Sequence, residues 1–161
     1  MKKENTIKIV KLLFVVYCIG LVFILFLYGS REGNQFHLKV FSKEHFEMTN
    51  IVPFRTIASF FERMADTTIN TDIAVTNLLA NQLMFVPMGM ALPVLFEEKF
   101  NKLWKVAAFV ILLVIVIEVV QFLTFLGSAD IDDIILNTVG AIVGYGIIKI
   151  RPLRKLLKLD E

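Results

Sequence analysis

Cysteine is almost missing from this chain: Cys18 stands alone inside an apolar run, which excludes an intramolecular disulfide and a thiolate metal cluster. Histidine is nearly as scarce, and His37 and His45 do not stand at metal-ligand spacing. No Gly-rich loop is present to cradle a phosphate, and no Ser or Cys nucleophile has a base beside it. Charged residues are only 20% of the 161-residue chain and leave a net charge of +2, so composition gives no reason to propose a nucleic-acid partner or a cofactor. What the chain does have is apolar surface. It is 57% hydrophobic with mean hydropathy +0.71, too apolar for a soluble domain and too short for two large ones.

The apolar residues fall in runs of membrane-spanning length, so the expected fold is all-α, an integral membrane four-helix bundle. The first span is expected over about residues 9–28, after a lysine-rich cytoplasmic start at 1–8. Its apolar core exceeds the roughly 7 to 15 residues of a signal peptide and no Ala-x-Ala follows, so it reads as an anchor. Spans two, three and four are expected over about 73–96, 106–126 and 134–150, with Pro87 and Pro93 kinking or breaking the second. A basic tail, 151–161, closes the sequence. In the polar loop 29–72, Pro53 suits a first helical turn, and Ile57, Phe60, Phe61 and Met64 recur at 3 and 4 spacing. An amphipathic surface helix over Phe54–Met64 follows.

Lys and Arg number four at the N-terminus through Lys11, three between spans two and three and five from Lys149 onward. The loop 29–72 has five in far more chain, and the turn "GSADIDD" has none. The positive-inside rule then puts both termini in the cytoplasm of a cell-membrane protein. At 1.5 Å per helical residue, Glu118 and Gln121 lie about 12 and 7 Å below the outer end of span three, and Asn77 and Asn81 at about 6 and 12 Å in span two. Asn137 lies one turn into span four, below Asp130, Asp132 and Asp133. Glu118 with Gln121, Asn77 with Asn81, and Asp133 with Asn137 each share a helix face, and an ionised acid facing lipid costs at least about 2.5 kcal/mol. These stripes should therefore face one another in an outward-opening polar pocket, or else serve as interhelical hydrogen bonds, the reading preferred for Asn77 and Gln82.

Other polar groups have plainer expectations. Asp130, Asp132 and Asp133 could hold a divalent cation or simply begin a helix, and those two readings stay level. "GAIVG", Gly140 to Gly144, is a small-xxx-small packing pattern, and Tyr28, Trp104 and Tyr145 suit the membrane interfaces.

"NQLMFVPMG" from Asn81, "EVVQ" from Glu118 and "DIDDIILNTVGAIVGY" from Asp130, together with "VPFRTI" from Val52, resemble the VanZ-like membrane proteins. The resemblance marks Arg55, Asn81, Pro87, Gly89, Glu118, Gln121, Asp130, Asp133, Asn137 and Gly140, and departs at Met88, where relatives often have Phe. It implies a role in resistance to lipoglycopeptide antibiotics such as teicoplanin in Gram-positive bacteria, and leaves the molecular activity open. Three uses of the pocket are compatible with the residues. In the first, Arg55, Asn81, Glu118, Gln121, Asp130, Asp133 and Asn137 bind a membrane lipid headgroup, a lipid-linked cell-wall intermediate or the lipoglycopeptide. In the second, an intramembrane enzyme uses Glu118 as general acid or base, with Asp130 and Asp133 as further catalytic candidates. The third is proton-linked transport through Glu118, disfavoured in a monomer because the run below it, "VAAFVILLVIVI", offers no polar path. Oligomeric state stays open.

Overall fold

In the computed structural model, residues 3–28, 49–65, 79–127, 129–157 and 159 are described, with backbone alone at 27, 28 and 63–65. All the elements found there are helices: α1 (Lys3–Phe23, continued by a π-helical turn, Ile24–Tyr28), α2 (Arg55–Ala65), α3 (Val86–Leu95), α4 (Leu103–Leu123), α5 (Ile131–Lys149) and α6 (Arg151–Leu156). α1, α4 and α5 are long and apolar enough to cross a membrane, and α3 ends a shorter apolar helix, Leu79–Leu95. Leu12, Leu13, Val16 and Ile19 of α1 and Leu112, Val116, Val119 and Leu123 of α4 are exposed. Exposed apolar faces of this length are stable only against lipid, so the chain is an all-α membrane protein.

α5 is the central helix, packed between α3 and α4, and α1 lies against α3. Small residues set this arrangement. A Cβ built at Gly140 would lie 1.8 Å from the carbonyl oxygen of Gln82, one at Gly144 2.1 Å from that of Val86, and one at Gly89 1.9 Å from that of Ala141. Backbones in contact this close gain the dense packing that replaces the hydrophobic effect between helices in lipid. Gly140→Ala and Gly144→Ala should each cost about 1–3 kcal/mol by overpacking. Gly20→Ala and Gly146→Ala, with nothing within 4 Å of the added carbon, should cost nothing or stabilise. Thermal unfolding of the four variants checks the contrast.

The helix limits differ from the sequence expectation for local reasons. The second span breaks at Phe85, whose ψ of 0° interrupts the turn before Pro87, and Pro93 then lies inside α3. The hydroxyl of Tyr17 donates to the Met84 carbonyl beside that break at 2.8 Å. α4 runs from Leu103 to Leu123 rather than over 106–126. It closes with Phe125 at φ 57°, while the N–H of Leu126 donates to the Gln121 carbonyl at 2.9 Å. This is a left-handed helix closure with Phe in the position Gly usually takes, so the helix ends without the residue that would mark its end in the sequence. α5 starts at Ile131 rather than 134 because Asp130 caps it, its side chain accepting the Asp132 N–H at 2.8 Å. α2 occupies Arg55–Ala65, the expected surface helix shifted by one residue toward the C-terminus. His37, His45 and Asn77 lie outside the described residues, as do the side chains of Tyr28, Arg63 and Met64.

Candidate functional site

α4 buries Val106, Val110, Val114 and Glu118, one stripe at a spacing of four whose last member is an acid. That register carries Glu118 to the end of α4 nearest the start of α5. There its Oε2 accepts the backbone N–H of Asp130 at 3.1 Å. Glu118 is only 7% exposed, and its charged neighbours are Asp133 and Asp130.

Asp130 and Asp132 hold the preceding loop in place. Asn50 makes a parallel bridge beside Asp130: its N–H donates to the Ala129 carbonyl and its own carbonyl accepts from Ile131, both at 2.9 Å. The Asn50 amide donates to Asp130 Oδ1 at 2.8 Å, and the Thr56 hydroxyl donates to Asp130 Oδ2 at 2.6 Å. Asp132, fully buried, accepts the backbone N–H of Phe54 through Oδ1, and those of Thr56 and Ile57 through Oδ2 at 2.7 and 3.1 Å. The first turn of α2 is thus capped by an acid from another helix, 75 to 78 residues away in sequence. Phe54, at φ 66°, is the residue turned to make that entry.

Asn81 donates its amide to Asp133 Oδ1. Asn137, one turn beyond Asp133 on the same face of α5, is 6% exposed, and its Oδ1 is buried without a partner. Gln121 does not face this group: its amide donates to the Leu25 carbonyl at 2.9 Å, in the π-helical turn of α1 where the usual helical acceptor pattern is broken.

Glu118, Asn81, Asp130, Asp133 and Asn137 therefore come together at one end of the bundle, Gln121 ties α1 to α4, and Arg55 is exposed at the start of α2. Sequence reasoning kept the roles of Asp130 and Asp132 divided between cation and cap. Here both oxygens of each already accept N–H or O–H donors. Among the described residues no group of three His, Cys, Asp or Glu stands in metal-holding geometry. Asn50 and Thr56 were missed. Thr56 stood within the "VPFRTI" stretch, whereas the pairing of Asn50 with Asp130 spans 80 residues and has no local signal. The arrangement offers carboxylate oxygens and an amide, which can bond a donor, pair with a cation or exchange a proton.

Comparison with known proteins agrees with this description. A family model, VanZ/LLP1, matches residues 14–152. Protein VanZ of Enterococcus faecium is 33% identical over 106 residues, 64% of this chain and 55% of that protein. The chain thus spans about half the length of this curated relative. No solved structure gives a significant match. A helical membrane core matched from residue 14 to residue 152 places this chain in the VanZ/LLP1 family.

Proposed function

We propose that this membrane protein contributes to resistance to lipoglycopeptide antibiotics of the teicoplanin type, through a polar pocket that faces the outer leaflet. Its ligand is a lipid headgroup, a lipid-linked cell-wall intermediate or the antibiotic itself. The observation that carries the reading is Glu118, a buried acid at the end of an otherwise apolar stripe, held against the Asp130 backbone beside Asp133 and Asn137. Interhelical hydrogen bonding alone would be served by an amide, so an acid there suits ligand or proton chemistry better. The basic residues of the Glu97–Lys105 link and of the tail support a cytoplasmic opposite end of the bundle and hence an outward-facing pocket. Arg55, at the rim, has the planar donor fork that suits phosphate or carboxylate.

Expression in a sensitive Gram-positive host should raise the inhibitory concentration of teicoplanin while leaving that of vancomycin, which lacks the lipid, unchanged against an empty vector. An unchanged teicoplanin value at verified membrane levels overturns the resistance reading. Catalysis by Glu118 is the second reading, kept because a buried acid next to other carboxylates is a common setting for proton transfer.

A further inference from the structure

We infer that the carboxylate cluster around Glu118 takes an organic ammonium, a primary amine carried on a lipid headgroup or presented by a free molecule. The inference deepens the reading above and rests on it in taking this cluster as the ligand site. Asp132 uses both oxygens on the start of α2, and Asp130 uses both on Asn50, Thr56 and Asp132. The Asn81 amide nitrogen is engaged with Asp133 Oδ1. On Glu118, Asp133 and Asn137 themselves, what stays open is the second oxygen of Glu118, the second oxygen of Asp133 and the Oδ1 of Asn137.

Asn137 is the observation that points to an occupant. It is 6% exposed, and its buried Oδ1 has no partner, a state that costs free energy unless something donates to it. It shares a face of α5 with Asp133, which reaches Asn81, and with Gly140, which abuts the Gln82 backbone, so it stands on the side of α5 that faces the helix carrying Asn81. The open positions are therefore two carboxylate oxygens and one amide oxygen, in a cluster of three acids.

Charge decides between ligand classes. The ion pair found among the described residues, Lys8 with Glu4, is at the far end of α1, and none involves Glu118, Asp130 or Asp133. Buried carboxylates without a counter-charge are costly, and a phosphate or carboxylate placed among them would add like charge. A divalent metal needs several converging oxygens, and the described acids do not provide them. A primary ammonium has three N–H donors and one positive charge, which matches the open positions in number and sign.

The test uses the purified full chain in detergent, with binding read by native mass spectrometry. The probes are phosphatidylethanolamine, phosphatidylcholine and phosphatidylglycerol of one acyl composition, and ethanolamine alone. Phosphatidylethanolamine should bind about tenfold or more tighter than the other two lipids, the worth of one charge-assisted hydrogen bond. Phosphatidylcholine is the sharp control, because its trimethylammonium has the charge without N–H donors. Glu118→Gln and Asp133→Asn should shrink the preference to about twofold, with melting temperatures reporting whether each variant is folded. If ethanolamine competes, a free amine suffices; if it does not while the preference holds, the amine must be part of a lipid. Equal binding of the three lipids by the wild type overturns the inference, a result that needs no variant to fold. So does a preference that survives in both folded variants. Resistance without headgroup preference would remove this inference alone, and headgroup preference without resistance would remove the other reading alone.

Discussion

Asp132→Ala is expected to release α2 from the bundle. The carboxylate is fully buried and satisfies the N–H groups of Phe54, Thr56 and Ile57, so truncation leaves donors of the first turn without partners in a closed space. The expected cost is about 3–5 kcal/mol, the range for removing one side of a buried charged interaction. Hydrogen exchange distinguishes this local loss from general unfolding. The amides of Phe54, Thr56 and Ile57 should lose protection, while those around Gly140 and Gly144 in the glycine-packed core keep it. Asp132→Asn retains one carbonyl oxygen and should fall between wild type and Ala. Unchanged exchange at all three amides in Asp132→Ala would show that the cap is dispensable and that α2 is held by its apolar face.

The membrane helices could be read from the sequence, but the way their ends are tied could not, and the difference is physical. Apolar length is a local property, so residues 9–28 and 134–150 announced spans that the structure extends or starts earlier by a few residues. Helix faces are local as well, which is why Asp133 with Asn137, and the position of Glu118 on its stripe, were accessible. Proline chemistry located the break near Pro87. Tertiary partners were not accessible in this way. Nothing near Asp132 in sequence says that its carboxylate caps a helix 75 residues earlier, and nothing near Gln121 says that it meets the Leu25 carbonyl instead of the acids. Gln121, expected on a polar stripe facing its counterparts, proved instead to be a fastener for backbone, as did Asp132, whose role had been left between cation and helix start.

Glu118→Gln and Glu118→Ala should separate what this residue does for the fold from what it does for function. Its Oε2 accepts the Asp130 N–H at 3.1 Å, and a Gln side chain keeps a carbonyl oxygen able to accept the same bond. Glu118→Gln should therefore unfold within about 1 kcal/mol of wild type, whereas Glu118→Ala strands that N–H beside a new cavity and should cost about 2–4 kcal/mol. On the resistance reading, both variants at matched membrane levels should lose the protection against teicoplanin, because Gln can neither carry the negative charge nor exchange a proton. A folded Glu118→Gln without protection would assign the loss to the charge and not to the architecture. Full protection by Glu118→Gln would instead show that hydrogen bonding suffices, which would sink the ammonium inference and the acid–base reading together. Full protection by all three proteins would make Glu118 a structural clamp on the turn before α5, and the candidate site would lose its centre. The Gln variant is therefore the more informative: its predicted fold is nearly that of the wild type, so a change in phenotype has one physical cause, the missing charge.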